Sequence, residues 1–169
     1  KTDYAVVRST LGGPTGQITW FECNSTGASQ SCSGDIQADF GLATDFFVSG
    51  DFDGDSKSDI TVWRAGAPEV AAFYIFQSSD STMRVEAFGQ TGDDPTVVSD
   101  YTGDGKTDVA VYRDGGASGD PSFWFYRASS GPNSGNVVYT QWGSNGDFPA
   151  PGDYDGAGTA DFMIQRNGG

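Results

Sequence analysis

Residues 58–64, with the sequence SDITVWR, are one of four copies of a segment that recurs along the chain. Each copy sets a small residue before an aspartate, continues through an apolar stretch and ends in an arginine. The other copies are TDYAVVR at 2–8, TDVAVYR at 107–113 and ADFMIQR at 160–166. Self-similarity with a period of about fifty residues is the signature of a repeat architecture.

Two further landmarks keep the same rhythm. The first is an aromatic residue before a glycine, with an acid a few residues on: Phe40-Gly41 with Asp45, Phe88-Gly89 with Asp93 or Asp94, and Trp142-Gly143 with Asp147. The second is an aromatic strand, at 18–21, 73–76 and 123–126. Aromatic and β-branched residues fill strands, whereas Gly and Asp supply turns. The pattern predicts an all-β fold with four short antiparallel strands in each period.

The predicted strands of the second period lie near 46–52, 59–64, 72–77 and 83–88. The strand at 59–64 is apolar on both faces, with Ile60 and Val62 opposite Thr61 and Trp63. Such a strand belongs in a sheet that packs between two neighbours. Four-stranded sheets stacked in this way are the blades of a β-propeller.

The chain is expected to form a single repeat domain over residues 1–169. Its divisions are a partial blade at 1–40, blades at 41–88 and 89–142, and a partial blade at 143–169. Propellers close with about four to eight blades, so about three repeats are expected to form an open arc. Either the arc is part of a larger propeller, or several copies complete one another in an assembly such as a fibre.

An aspartate-rich loop precedes the strand at 59–64. In residues 51–59 the expected metal ligands are Asp51, Asp53, Asp55 and Asp59 at positions 1, 3, 5 and 9, with the carbonyl oxygen of Lys57 at position 7. Calcium takes about six to eight hard oxygen ligands, whereas Mg²⁺ demands a stricter octahedral site. Four carboxylates this close would repel one another without a cation. The loop is therefore predicted to bind Ca²⁺.

Two later loops carry the same pattern with one carboxylate fewer. In residues 100–108 the expected ligands are Asp100, Thr102, Asp104, Lys106 and Asp108, with Thr102 in place of an acid. In residues 153–161 they are Asp153, Asp155, Thr159 and Asp161, and Ala157 replaces an acid. Both loops are expected to bind calcium more weakly than the first, and for all three loops a turn that binds no metal is the alternative. An EF-hand is excluded for the first loop, because its twelfth position is Val62 rather than glutamate.

The Phe-Gly landmark, the Asp-x-Asp-Gly-Asp loop and the strand ending in arginine together resemble the FG-GAP repeat family, also described as VCBS-type repeats. Such repeats are known from integrin α-subunit propellers and many secreted bacterial proteins. The resemblance covers essentially the whole chain. It implies a propeller with calcium held between the first and second strands of a blade. It implies no particular activity, because the family includes adhesion modules, lectin-like binders and non-catalytic arms of enzymes.

Charge excludes several classes of partner. The chain has 23 acidic residues, nine basic residues, no histidine and a formal net charge of −14. Nucleic acid requires a basic face, and an anionic membrane surface attracts basic segments. No apolar run approaches the ~20 residues of a membrane helix. Neither a nucleic-acid partner nor membrane insertion is expected.

The two cysteines suggest an oxidising location. Cys23 and Cys32 flank a small polar loop and are predicted to form a disulfide across a hairpin, with two free thiols as the alternative. Asn24-Ser25-Thr26 matches the acceptor pattern for N-glycosylation, which makes Asn24 a candidate glycosylation site. The predicted location is secreted, extracellular or at the cell surface.

The repeated arginines and tryptophans each allow two interpretations. The arginines could form a ring that binds a ligand, or each could form an ion pair with the acid that follows Phe-Gly. Because an arginine recurs at the same place in every repeat, the ion pairs are favoured. The arginines are Arg8, Arg64, Arg113 and Arg166, and the acids include Asp45, Asp94 and Asp147. The tryptophans allow sugar stacking or a place in the core, and strand spacing favours the core for Trp20, Trp124 and Trp142. For Trp142 the core is favoured further, because it stands where Phe40 and Phe88 stand.

Catalytic chemistry finds little support. The chain has no histidine, so the usual base for nucleophilic catalysis is absent. A pair of carboxylates, as in a glycosidase, is the alternative, but the acids lie mostly in loops and turns, which argues against it. The chain is predicted not to be an enzyme. The predicted function is a calcium-binding extracellular module for ligand binding or for structural or adhesive scaffolding, with a protein or carbohydrate ligand. The alternatives are a subunit of an extracellular fibre built from copies of this chain, and a non-catalytic carbohydrate-binding arm of a secreted enzyme.

Overall fold

The computed structural model describes residues 4–9, 12, 15–23 and 36–166. In this part of the chain the elements are β1 (Tyr4–Ser9), β2 (Gln17–Cys23), β3 (Ile36–Leu42), β4 (Phe46–Gly50), β5 (Asp59–Arg64), β6 (Ala72–Phe76), β7 (Met83–Ala87), a 3-10 turn (Pro95–Val97), β8 (Ala110–Arg113), β9 (Pro121–Arg127), β10 (Val137–Ser144), β11 (Phe148–Pro149) and β12 (Ile164–Gln165). These residues include no helix that is long and apolar enough to cross a membrane. The prediction of an all-β fold is confirmed.

Every sheet is antiparallel and pairs strands that follow one another in sequence. The strand orders are β1-β2-β3, β4-β5-β6-β7, β8-β9-β10 and β11-β12. Short connections favour this arrangement because antiparallel neighbours can be joined by a tight turn. The chain divides into two compact units, residues 1–45 and 46–169.

The first unit contains a three-stranded sheet with β2 in its centre. Pairing of β1 with β2 runs from Tyr4 opposite Cys23 to Ser9 opposite Ile18. Trp20 on β2 is buried, and its indole N–H donates to the carbonyl oxygen of Phe40 at 2.9 Å. The tryptophan thereby ties the central strand to the far end of β3.

The second unit begins with the four-stranded sheet β4–β7. Each strand lies within two residues of its predicted bounds. On β5, three consecutive side chains are buried, those of Thr61, Val62 and Trp63. Because neighbouring residues of a strand point to opposite faces, both faces of β5 are covered, as predicted.

The third period has one regular strand fewer than predicted. Residues 89–142 are all described and contain β8, β9 and most of β10, while the 3-10 turn at Pro95–Val97 stands where a first strand was expected. Only isolated bridges, Asp94 with Tyr112 and Ser99 with Asp108, pair this segment with the chain near β8. Proline has no N–H to donate to a ladder. Pro95 therefore interrupts the strand that the repeat pattern implied.

Two apolar clusters hold the sheets of the second unit together. In the first, Trp63 and Phe73 of the four-stranded sheet pack with Val109 and with Val111 of β8. In the second, Tyr112 of β8 and Trp124 of β9 belong to a group against which Phe162 and Ile164 pack. Neighbouring residues of β8 thus enter different clusters, and the sheet that contains β8 is covered on both faces.

The Phe-Gly landmark forms a turn, and the turn is built in the same way each time it occurs. Its glycine has a positive φ, 88° at Gly89 and 112° at Gly143, which side chains other than glycine rarely adopt. A Cβ at Gly143 would also lie 2.5 Å from the Tyr112 hydroxyl oxygen. An aspartate closes each turn by accepting the N–H of the residue three positions earlier, as do Asp45, Asp93 and Asp147.

Candidate metal-binding loops

The loop between β4 and β5 brings three of its predicted ligands together. Asp51 follows β4 directly, and Asp59 is the first residue of β5. One carboxylate oxygen from each of Asp51, Asp53 and Asp59 lies within 4.8 Å of the other two. Oxygens that share one calcium ion stand at most about twice the Ca–O distance of 2.3–2.6 Å apart. The spacing and the hard donor set therefore fit Ca²⁺.

Backbone N–H groups fold this loop around the Asp51 carboxylate. Gly54 donates to one oxygen at 2.6 Å and Asp55 donates to the same oxygen at 3.1 Å. Ser56 donates to the other oxygen at 2.7 Å. The loop closes so tightly because Gly54 and Ser56 both adopt positive φ, 87° and 68°. A single carboxylate thus organises the first half of the loop.

Asp59 anchors the loop from inside the protein. Its side chain is buried, and its two oxygens accept the N–H groups of Phe52 and Ser78, each at 2.8 Å. Burial raises the pKa of Asp59, and the nearby charges of Asp53 and Asp51 act in the same direction against these hydrogen bonds. Three acids that share so small a volume carry a charge that a divalent cation would neutralise.

The electrostatic setting of Asp53 differs from that of Asp59. Its carboxylate accepts the N–H groups of Asp55 at 3.1 Å and of Ser79 at 3.2 Å. Burial acts to raise the pKa of Asp53, but hydrogen bonds from Ser79 and Asp55 outweigh it, so the pKa lies below its usual value. Asp53 is therefore held in the charged form that a metal ligand requires.

Asp55 and Lys57, both predicted to contribute to this site, engage each other. Asp55 does not belong to the group of three carboxylates. It accepts the Lys57 backbone N–H at 2.9 Å, and the Lys57 ammonium lies 3.4 Å from its other oxygen. Ion pairs with an exposed lysine contribute little to stability. The candidate metal site thus contains the carboxylates of positions 1, 3 and 9, whereas the carboxylate of position 5 lies outside it.

The third loop repeats this arrangement. Carboxylate oxygens of Asp153, Asp155 and Asp161 lie within 4.8 Å of one another, and these acids again occupy positions 1, 3 and 9. Asp161 accepts the N–H of Tyr154 at 2.9 Å, as Asp59 accepts that of Phe52. Ala157 at position 5 leaves the cluster intact because that position does not belong to it. The cluster is more exposed than the first.

The second loop has the same backbone but gathers no such cluster among its residues, all of which the structure describes. Asp108 accepts the N–H groups of Tyr101 and Ser129, each at 2.8 Å. Thr102 at position 3 contributes a hydroxyl, which lies 3.0 Å from the Ser129 hydroxyl. That serine hydroxyl in turn donates to Asp104 at 3.1 Å. The residue at position 3, a threonine instead of an aspartate, therefore explains why this loop has no three-carboxylate cluster when the other two have one.

Successive loops contact one another directly. The Thr107 N–H donates to the carbonyl oxygen of Asp51 at 2.6 Å, and the Ala160 N–H donates to that of Asp100 at 2.7 Å. The residue at position 7 of each later loop covers the glycine at position 4 of the preceding one. A Cβ added at Gly54 would lie 2.9 Å from the Lys106 side chain, and one added at Gly103 would lie 2.8 Å from the Thr159 side chain. Glycine at position 4 therefore lets the loops stack.

The repeated arginines that the structure pairs have a structural role. Arg113 donates two hydrogen bonds to Asp93, at 2.7 and 2.9 Å, and Arg166 donates two to Asp147, each at 2.7 Å. Such forked pairs are the strongest kind of side-chain ion pair. The pairing predicted for Asp94 is wrong. Asp94 instead accepts the N–H of Thr96 and begins the 3-10 turn.

The tryptophans divide between core and surface. Trp63 and Trp124 are fully buried and donate to the carbonyl oxygens of Phe88 and Trp142, at 2.9 and 3.0 Å, as Trp20 does to Phe40. Placing Trp142 itself in the core was wrong, because 52 % of it is exposed. Phe88, at the corresponding position, is covered by the first apolar cluster.

Two predicted features lie outside the described residues. Cys23 ends β2, but its predicted partner Cys32 falls in a stretch that the structure does not describe, so the disulfide stays a prediction. Asn24 lies in the same stretch, and its glycosylation also stays a prediction.

Sequence reasoning missed one recurrent contact of the loops. The N–H groups of Ser78 and Ser129 donate to the aspartates at position 9, Asp59 and Asp108. A signal exists in the sequence, since the aromatic strands at 73–76 and 123–126 are each followed by a Ser-Ser pair, at 78–79 and 129–130. Its meaning depends on a hairpin that brings this pair beside the loop.

Comparison with known proteins supplies no relative from which a function could be transferred. The chain matches no protein-family model, no curated protein and no solved structure.

Proposed function

We propose that this chain is a calcium-stabilised module of the β-propeller type that acts outside the cell as a binding or scaffolding surface. The observation that carries the proposal is the recurrence of one three-carboxylate cluster at positions 1, 3 and 9 of two loops. A single acidic cluster is common without a metal. The same cluster at the same positions, a hundred residues apart in a repeat, is better explained by a shared ligand.

Calcium fits these loops better than other metals. The donors are carboxylate oxygens, without histidine or cysteine, and hard oxygen sets of this kind suit calcium or magnesium rather than zinc or copper. Each cluster supplies three carboxylates, and calcium accepts a variable number of oxygen ligands, water included. Magnesium would require a near-ideal octahedral set.

Stacking of the sheets supports the propeller architecture. Two faces of the sheet containing β8 are buried, each against a neighbouring sheet, and the loops that join the strands stack in the same order. In this proposal calcium stiffens the connections between the first and second strands of each repeat. The remaining loops then stand on a rigid scaffold, which is where binding surfaces usually lie.

The extracellular assignment rests on chemistry that suits millimolar calcium and an oxidising medium. The net charge of −14 and exposed acidic loops are compatible with weak sites that fill only at high calcium concentration. The Cys23–Cys32 bridge would persist in such a medium. No arrangement of catalytic groups is proposed for the chain.

Thermal melting in calcium and in chelator tests the metal. A free calcium concentration ten times the dissociation constant adds about 1.4 kcal/mol at one site, which raises the melting temperature by about 3–6 °C in a chain of this size. Asp53→Asn should reduce this shift. Glu69→Gln removes an equal charge from an exposed position outside the loops and should leave it unchanged. Equal melting temperatures in calcium and in chelator would refute the proposal.

A further inference from the structure

A cleft between the second and third sheets collects positive charge in an otherwise acidic chain. Its volume is about 280 Å³, and its lining includes Arg84 of β7, Lys106 of the second loop and Arg127 at the end of β9. These are three of only nine basic residues in the sequence. The acids of the lining are Glu86 and Asp108.

The acids of the lining are already engaged by other groups. Glu86 lies 3.1 Å from the Arg84 guanidinium and 3.7 Å from that of Arg127, between the two. Both oxygens of Asp108 accept backbone N–H groups. The Lys106 ammonium is exposed and forms no ion pair with the described residues. The charge of the nearby Asp104 acts on Lys106 across an exposed part of the surface, where charge interactions are weak, so a ligand carboxylate can compete for the ammonium.

The two guanidinium groups are held in place before any ligand arrives. Arg84 donates to the carbonyl oxygen of Phe52 at 3.3 Å. Arg127 donates to that of Ala87 at 3.2 Å and lies 5.4 Å from the centre of the Phe88 ring. Groups that are already ordered lose little conformational entropy when a ligand binds.

The repeat itself shows that these charges are not required by the fold. Ser78 and Ser129 occupy corresponding positions, because each donates its N–H to the aspartate at position 9. Counting back two residues, Arg127 corresponds to Phe76. Pairing across the strands relates Arg84 and Glu86 of β7 to Val138 and Thr140 of β10. Between these two described repeats, charged side chains thus replace apolar or neutral ones at the cleft, at a cost in desolvation.

The geometry points to a binding site for an acidic saccharide in this cleft, with its carboxylate between Lys106 and Arg127. Arginine is suited to carboxylates because its planar donors match their two oxygens. The hydroxyl-bearing residues Thr107, Ser129 and Ser134 line the same cleft. The hydroxyls of Ser129 and Ser134 already donate within the protein, so they offer acceptor lone pairs to the hydroxyl groups of a polyhydroxylated ligand. The site goes beyond the calcium module proposed above and uses the side chain of Lys106, whereas a metal in the second loop would take the carbonyl oxygen of that residue.

Calorimetric titration of the calcium-loaded chain with D-glucuronate, D-glucose and acetate tests the site. Glucuronate should bind at least tenfold more tightly than either of the others. Absence of saturable glucuronate binding would overturn the proposal. Acetate binding as tightly as glucuronate would overturn the assignment to a saccharide, because the cleft would then recognise the carboxylate alone.

Four variants separate binding from folding. Lys106→Gln and Arg127→Gln should each weaken glucuronate binding at least fivefold. Glu86→Gln should strengthen it, since the ligand no longer competes with an internal carboxylate. Arg8→Gln, which removes an exposed guanidinium lying over Phe21 in the first unit, should change nothing. Lys106 forms no ion pair within the part of the chain that the structure describes, so Lys106→Gln is expected to fold even if Arg127→Gln does not. Undiminished glucuronate binding by Lys106→Gln would overturn the proposal.

Discussion

Single residues decide which of the acidic loops can gather a metal site. The first and third loops place aspartate at position 3, as Asp53 and Asp155, and both form a three-carboxylate cluster. The second has Thr102, whose hydroxyl pairs with Ser129 instead. Position 5 matters less than the sequence suggested, because Asp55 stays outside its cluster and Ala157 leaves the third one intact.

Thr102→Asp should therefore create a further calcium site. The new carboxylate would join Asp100 and Asp108 in a loop that already has the backbone of the other two, so the number of calcium ions bound per chain should rise by one. Calorimetric titration measures that number. Ser118→Asp adds the same charge at an exposed position outside the loops and serves as the control. A stoichiometry that rises equally in both variants, or in neither, would contradict this reasoning.

The ion pair of Arg166 with Asp147 should make stability depend on pH in the acidic range. The Arg166 guanidinium holds the pKa of Asp147 below its usual value of 3.8. A carboxyl whose pKa is lower in the folded state stabilises the fold above its unfolded pKa and loses that contribution as the pH falls. Arg166→Gln should therefore lower the melting temperature at pH 7 and have a shrinking effect as the medium is acidified below about pH 4. A difference that stayed constant down to pH 2 would rule out this pair as its source.

At the level of strands and sheets, a tryptophan on an inner strand ties each of the three larger sheets to the Phe-Gly turn. Trp20 on β2, Trp63 on β5 and Trp124 on β9 all donate to the carbonyl oxygen of the aromatic residue in that turn. The strand that carries the tryptophan differs between sheets, whereas the carbonyl group that accepts its hydrogen bond is always that of the aromatic residue before the glycine. A buried indole needs such an acceptor, because an unpaired buried donor is costly.

Trp63→Phe should destabilise the chain by about 1–3 kcal/mol, because it removes buried volume and leaves the Phe88 carbonyl without its donor. Trp142→Phe makes the same chemical change at a half-exposed position and should cost less than about 0.5 kcal/mol. Denaturant unfolding followed by far-ultraviolet circular dichroism measures both. Similar costs for the two variants would show that the indole hydrogen bond and the burial of Trp63 contribute little.

For the whole molecule, the division into two units separates the candidate metal sites from the first sheet. Both three-carboxylate clusters lie within residues 46–169, and neither involves a described residue of 1–45. Metal binding should therefore stabilise the second unit directly. Local stability in a protein of this kind is measured by amide hydrogen exchange.

Removing calcium should speed amide exchange mainly in the second unit. The amides of Gly54 and Ser56, which donate to Asp51, and that of Gly158, which donates to Asp153, should lose most protection, because the cation no longer draws the loop together. Amides of β1–β3 should change less. Exchange that accelerated equally in both units on addition of a chelator would contradict a site confined to the second.

Features that depend on neighbours along the chain could be predicted from the order of the residues. Repeat spacing, strand positions in the second period and the acids of each loop all follow from residues a few positions apart, since turns and loops fold around their own backbone. Recurrence also predicted that Arg113 and Arg166 pair with turn aspartates, although Arg113 pairs with Asp93 rather than Asp94.

The contacts between groups from distant segments could be learned only from the folded arrangement. It brings Ser78 beside Asp59 and Arg127 beside Glu86, and it excludes Asp55 from the carboxylate cluster. It also exposes Trp142 where Phe88 is buried, although the two share one place in the repeat. The local sequence pattern does not reveal these differences, because the burial of a side chain depends on the residues of the neighbouring sheet. That sheet is encoded about fifty residues later in the chain.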